Sequence, residues 1–429
     1  MKEHSTYCLS EHAKRQLRER FLSYAAVCTT SSSEQADKGV MPSTPGQREF
    51  ARMLLAELQA LGADEAYISE YGYVCARLKP SSGCEHAPAV GLCAHLDTSE
   101  EVPAGTVHPR VIEHYDGSVI ALGGGAVLDP AADAELARAK GLDIITTDGT
   151  TLLGADDKAG IAEIMTVLEF LTAQPDIPHG PVEVIFSPDE ETGHGMDHVP
   201  LDWIQAKQFY TLDGSSPPEI ETECFNAYRC DVTFTGIAAH TGSARPHMIN
   251  AVSMAADFIT SLPRHEAPET TDGRQGFFAP MEIQGQLERA RTTLYLRDFS
   301  AEGMEQRIQT VRAIAAAIQA KYRGSTVSVQ TAKQYLNMKQ TIDAHPLAAE
   351  LLVQAVRTAG LEPRFVPIRG GTDGARLAEA GIPCPNIFTG GHNFHSRTEW
   401  ACIQHMEQAA ETLLQLIRLW ALQPAEQPA

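Results

Sequence analysis

The chain has 429 residues, enough for two domains with substantial cores. Lys plus Arg number 34 and Asp plus Glu number 55, a formal charge of −21 that disfavours nucleic acid and anionic membrane as partners, since both call for basic patches. No segment approaches the roughly 18 uninterrupted apolar residues of a membrane span, and the first residues lack an apolar signal core. Nine scattered cysteines with no Cys-x-x-Cys pair read as reduced thiols of a cytoplasmic protein, not as a disulfide framework or a zinc finger.

Apolar spacing at Leu17, Phe21 and Ala25 predicts a helix over 10–27, followed by a polar loop over 33–40. Thr44-Pro45-Gly46-Gln47 predicts a capping box opening an amphipathic helix that runs to Leu61. Strands are expected at 67–78, 89–96, 182–187 and 209–213, with a helix at 157–173. That alternation implies an α/β fold built on a helix-covered, mainly parallel sheet. From Thr222 the texture changes. A long alternating stretch, a helix at 248–261, a strand pair at 276–299, a helix at 303–321 and a strand at 326–335 suit a small α+β domain. The α/β rhythm then resumes with a helix at 345–359, a strand at 364–369, a helix at 374–380, a strand at 385–388 and a final helix at 403–421. The expected organisation is a main domain over 1–222 and 335–429 with a smaller domain, 223–334, inserted in it. Two consecutive domains would strand His395 far from the other candidate ligands.

Five apolar segments end in His, Asp or Glu. His95 and Asp97 follow one, Asp156 and Asp157 another, Glu190 and Glu191 a third, Asp213 a fourth, and His395 a fifth. Singly, an acidic pair reads as a solvated loop, His95 as a satisfied core histidine and Asp213 as a turn residue. The recurrence at strand ends, where α/β proteins keep their sites, points to chemistry. Zinc takes imidazole and carboxylate ligands, and a pair of zincs needs one bridging carboxylate. His95 and Asp213 can hold one metal, Glu191 and His395 the other, and Asp156 can bridge. Asp97, two residues past His95 on an extended segment, can fix the tautomer of its ring. Glu190 is left as the general base for a metal-bridging water. Asp157 reads as an ion-pair partner of Lys158 and an acid at a helix N-terminus. His194 and His198 read as bystanders, and Gly123-Gly124-Gly125 as a flexible turn.

The segments Ala94-His95-Leu96-Asp97-Thr98, Thr146-Thr147-Asp148-Gly149, Gly154-Ala155-Asp156-Asp157-Lys158-Ala159-Gly160, Ser187-Pro188-Asp189-Glu190-Glu191, Ile368-Arg369-Gly370-Gly371-Thr372-Asp373-Gly374 and Pro383-Cys384-Pro385-Asn386 occur in order along nearly the whole chain. Together they resemble the peptidase T branch, the tripeptide aminopeptidases, of the di-zinc metallopeptidase family that includes carboxypeptidase G and aminoacylase. The resemblance implies a zinc-dependent aminopeptidase acting on tripeptides, with two zinc ions per chain, although these ligands would also accept cobalt or manganese. It aligns the bridging role with Asp156 rather than Asp157. It makes the inserted domain a lid of the kind that also serves dimerisation, and leaves a homodimer open. It further implies substrate contacts from His240 and Arg297 of the inserted domain and from Arg369 of the catalytic domain. Thr241 replaces the family's usual proline, His392 stands where the branch commonly has tyrosine, Ser396 where glycine is usual, and the N-terminus is extended. Two other readings remain: an amidohydrolase or carboxypeptidase of the same family acting on N-acyl amino acids or dipeptides, and a non-catalytic, metal-stabilised binding protein. The spare carboxylate of Glu190 argues against the latter.

Overall fold

The computed structural model describes residues 7–424. The chain forms two compact units, one of residues 1–222, 340–366 and 372–429, the other of residues 223–339 and 367–371. The second unit is longer than the expected 223–334. Its last strand, Thr326–Tyr335, ends with Tyr335 opposite Ala227, and Asn337 donates its main-chain N–H to Asn226. Among the described residues no helix is long and apolar enough to cross a membrane.

The first unit is built on an eight-stranded sheet in the order Glu65–Ile68, Val74–Leu78, Val182–Ser187, Val90–His95, Phe209–Gly214, Asn386–Phe388, Glu219–Cys224, Arg364–Ile368. Four neighbouring strands in its middle, from Val182–Ser187 to Asn386–Phe388, run parallel. The flanks are antiparallel: Val74–Leu78 opposes Val182–Ser187 on one side, and Glu219–Cys224 opposes Asn386–Phe388 on the other. The sheet is therefore mixed, and the expectation of a mainly parallel one holds only for its centre. The single strand expected at 67–78 is a hairpin, Glu65–Ile68 and Val74–Leu78, whose turn uses Gly72 at φ +93°.

The central strands are buried along their whole length, and alternate residues serve opposite faces. Leu92, Ala94, Val184 and Phe186 join helices Glu11–Ala25, Ala155–Ala173 and Ile403–Ala421 in one core, while Cys93, Ile185, Phe209 and Leu377 form a second core behind the sheet. Helix Pro45–Ala60 starts as expected at Pro45, but the capping box does not form. Gln47 Oε1, the acceptor such a box would use, instead takes the Asp189 N–H at 3.1 Å, while the Gln47 amide donates to the Asp189 carboxylate at 2.7 Å. The polar stretch at 33–40 includes a short helix, Ser33–Ala36.

The second unit is a four-stranded antiparallel sheet in the order Phe277–Gly285, Arg289–Asp298, Asn226–Thr235, Thr326–Tyr335. Helices Ala251–Thr260 and Ala301–Lys321 cover it, and Val232, Phe234, Phe258, Leu294 and Val311 lie in the shared core. The sequence did not reveal a small sheet in the first unit, Gly391–His392, Trp400–Cys402, Ile144–Thr146, Arg110–Ile112, because each of its strands has only two or three residues.

Helix Ala155–Ala173 lies close against the strand that carries Asp213. A Cβ on Gly160 would stand 2.0 Å from the Leu212 carbonyl oxygen and 2.5 Å from an Asp157 carboxylate oxygen. Gly160→Ala is therefore expected to cost about 1–3 kcal/mol, the usual range for overpacking. A thermal melt should show the lower Tm, and an unchanged Tm would mean that the helix can move off the strand freely.

Candidate active site

The parallel strands place the candidate residues. His95 ends Val90–His95, level with Ser187, and the next strand brings Asp213 beside it. The turn after Ser187 carries Glu190 and Glu191. Asp156 lies at the start of Ala155–Ala173, before its dihedrals become helical. His395 lies in the loop beyond Asn386–Phe388, with φ +59°.

His95 Nε2 is 2.8 Å from Asp156 Oδ1 and 3.6 Å from Asp213 Oδ1. His395 Nε2 is 3.3 Å from Asp156 Oδ2 and 3.0 Å from Glu191 Oε2. Two ligand groups result, His95 with Asp156 and Asp213, and Asp156 with Glu191 and His395, and ligand atoms within each lie within 4.8 Å of one another. Asp156 belongs to both, with one oxygen turned to each imidazole.

Electrostatics tests whether these residues fit a pair of cations. Burial, together with the charge of Asp156, pushes Glu191 up to about 8 and Asp213 up to about 6. Burial would also raise Asp156, but hydrogen bonds from His395 and His95 hold its carboxyl well below the usual range. Hydrogen bonds to Asp156 and Glu191 outweigh burial at His395 and push it up to about 12. The cluster thus draws positive charge into itself. Glu191 Oε1 is buried with no hydrogen-bond partner. A carboxylate oxygen left unpaired among imidazoles and carboxylates is a donor set for divalent cations, and bound cations would reverse the cost of ionising these groups.

A surrounding set of polar groups fixes this geometry. His95 Nδ1 lies 3.0 Å from the Asp97 main-chain carbonyl and 3.5 Å from the Asp97 carboxylate. The carbonyl is thus the nearer acceptor for the ring N–H, which leaves Nε2 for a ligand. The fully buried Asp97 carboxylate accepts the N–H groups of Glu190 and Glu191, at 3.0 and 3.2 Å, and holds the turn that bears them. Asp157 forms no ion pair with Lys158. Its Oδ2 accepts the His95 N–H at 3.1 Å, while Lys158 Nζ donates to the Val27 carbonyl. The two side chains leave the helix start in different directions, and burial pulls the Lys158 ammonium down to about 8. Burial, and the charges of Asp213, Asp373 and Glu191, raise Glu190 well above the ordinary carboxyl range.

Sequence reasoning passed over several supports. Asp189 accepts Ser43 N at 2.7 Å and Gln47 Nε2 at 2.7 Å, tying the glutamate turn to the first helices. Asn386 Oδ1 accepts the Asp213 N–H at 2.9 Å. Glu101 stands 3.5 Å from His395 Nδ1. Asn386 lay inside a recognised motif, and only strand pairing reveals its task. Ser396 Oγ donates to the Asn393 carbonyl and accepts the Thr398 N–H, so it ties up the turn that presents His395. His392 stacks on Trp400 at 4.0 Å. His194 pairs with Asp197, and His198 stacks on Tyr71.

The remaining candidates belong to the second unit. His240 is exposed, and its Nδ1 accepts the Gly242 N–H at 3.2 Å, which puts the neutral ring's proton on Nε2. Arg297 lies over the Tyr295 ring, with one donor to Gln334. Arg369 was expected from the catalytic domain, but residues 367–371 group with the second unit. Its guanidinium lies over Phe225 and donates to the carbonyls of Gly273 and Gln275 and to Thr271, so it staples the 271–275 loop.

Residues 148–419 match the model of peptidase family M20/M25/M40. Peptidase T of Clostridium perfringens (strain 13 / Type A) is 45% identical over 408 residues, covering 95% of this chain and 99% of its own. In fold the chain is similar to the aminopeptidase PepT from Bacillus cereus ATCC 10987, with TM-score 0.74 at 22% identity over 95% of this chain and 99% of that one. It is also similar to a dinuclear metal-binding M20 peptidase from Bacillus subtilis, with TM-score 0.66 at 14% identity over 96% and 99%. The chain belongs to peptidase family M20/M25/M40 and is a peptidase. The two candidate ligand groups share Asp156, an arrangement with room for two metal ions.

Asp156→Ala is expected to empty both metal positions, whereas Asp213→Ala should spare the one beside His395. Elemental analysis after gel filtration checks this. Equal losses from the two variants would remove the shared role of Asp156.

Proposed function

We propose that this chain is a cytoplasmic metallo-aminopeptidase that removes the N-terminal residue from tripeptides. The observation that carries the reading is Glu190, a half-buried carboxyl on the same turn as Glu191 that belongs to neither candidate ligand group. The similarity to Peptidase T supports the substrate class, and the nine free cysteines support a reducing compartment.

The metals are zinc in this reading, held by His95, Asp156 and Asp213 on one side and by Asp156, Glu191 and His395 on the other. Bound there, they would supply Lewis-acid polarisation of the scissile carbonyl and make water acidic enough to attack it. Glu190 takes the proton of the attacking water and delivers it to the leaving amine. A carboxyl that belongs to neither ligand group is free both to accept that proton and to give it up. Asp97 keeps Glu190 in place through its main-chain N–H and leaves its carboxyl free. His240, with its proton on Nε2, has a donor to offer a carbonyl or oxyanion.

Recognition of length needs both ends of the peptide. The acidic cluster favours a free α-ammonium. At the other end Arg297 is the better candidate for the carboxylate, since it spends one N–H on Gln334 and one on its neighbour's carbonyl and keeps the rest of its fork. Arg369 already spends Nη1 on two carbonyls and Nη2 on Thr271, so its contribution is to hold the loop it staples.

Glu190→Gln is expected to keep its metal and lose about 10²–10⁴ in kcat, the usual share of acid–base catalysis. Loss of metal from this variant would make Glu190 a ligand instead. A free tripeptide should be turned over far faster than its N-acetyl form or its C-terminal amide. Equal kcat/KM values for the three would favour an amidohydrolase.

A further inference from the structure

Glu399 lies four residues beyond His395 in the same loop and is 1% exposed. It makes no ion pair among the described residues. Its carboxylate is instead surrounded by main-chain donors of a single distant loop. Oε2 accepts the N–H groups of Leu153 and Gly154, at 2.7 and 2.8 Å, and Oε1 accepts the N–H of Asp156 at 3.1 Å. The residue so held is the one shared by both ligand groups, at a point where its dihedrals depart from the helix that follows.

We infer that Glu399 is a positioning residue for the metal pair, setting the Asp156 main chain so that its two oxygens face His95 and His395 at once. This rests on the metal reading above. Leu153 and Gly154 are buried, so their N–H groups need an acceptor inside the protein, and Glu399 Oε2 supplies it while Oε1 reaches on to Asp156. A carboxylate supplies acceptors on both oxygens and no donor, and all three partners here are donors. A second clasp lies further along: Arg397 Nη1 donates to the carbonyls of Gly149 and Thr150, touching the same loop well before Asp156.

The two clasps separate a positioning role from simple loop order. In Glu399→Gln the amide oxygen can keep Leu153 and Gly154, and the NH2 group then opposes the Asp156 N–H, donor against donor. In Arg397→Ala the loop is loosened without disturbing Asp156. Zinc affinity would be measured by competition with a chromophoric chelator, alongside the melting curve of the zinc-free protein. The wild type should bind two zinc ions per chain, and Glu399→Gln should raise the dissociation constant about 10–100-fold, the usual effect of losing a residue that orients a ligand. Arg397→Ala should lower the zinc-free Tm at least as much while leaving zinc affinity near the wild type. Excess zinc should restore kcat in Glu399→Gln with KM unchanged. Wild-type zinc affinity in Glu399→Gln, or an equal loss in Arg397→Ala, would overturn the inference. Should Glu399→Gln fail to fold, Glu399→Asp carries the same test, since its shorter side chain keeps the charge but cannot span all three donors. A wild type that binds no zinc would instead overturn the metal reading itself.

Discussion

Asp156, Glu190, Glu191 and Asp213 converge at one end of the parallel strands, and like charges at such range cannot all ionise in a buried site without compensation. Positive charge or protonation of the acids resolves the conflict. In the protein alone, the imidazoles of His95 and His395 answer it by holding on to protons, and two of the carboxyls rise towards neutrality. Divalent cations answer it better, because each places two charges among several carboxylates and asks the imidazoles to be neutral. Asp156 is the residue on which this depends. Among the described residues it alone lies in both candidate ligand groups.

A cluster under such strain needs rigid support, and the fold provides it largely with main-chain dipoles, with the buried Lys158 ammonium near Asp97 and Glu399. Asp97 accepts two N–H groups of the glutamate turn, Asp157 the N–H of His95, and Glu399 three N–H groups around Asp156. Each is a buried carboxylate paid back by backbone donors, which fix position without adding mobile charge beside the site. The arrangement also explains why one turn can carry two adjacent acids with different tasks. Glu191 points to His395 and Glu190 does not, because Asp97 grips both main-chain N–H groups and leaves the two side chains to diverge.

Much of this was legible in the sequence wherever a long apolar run ended in a charged residue. The central strands, the helix after Asp156 and the last helix, Ile403–Ala421, follow from periodicity, and His95, Asp213 and the glutamate pair follow from their place at strand ends, whereas Asp156 opens a helix and His395 lies in a loop. What escaped was whatever depended on a partner distant in the chain. Gln47 reads as a capping residue until Asp189 is seen beside it, and Asp157 reads as the partner of Lys158 until the His95 N–H is found against it. Glu399 gave no signal, since a glutamate before a tryptophan in a polar loop looks solvated. The antiparallel flanks of the sheet escaped for a similar reason, because strand direction depends on pairing, which apolar spacing does not encode.

The central claim is that one carboxylate, Asp156, is shared by two cations. Anomalous diffraction at the zinc edge from zinc-loaded crystals tests it most directly. The account predicts two peaks about 3.5–4 Å apart, the spacing of two-metal sites, with one Asp156 oxygen on each. A single peak, or two peaks with Asp156 bound to only one of them, would contradict it.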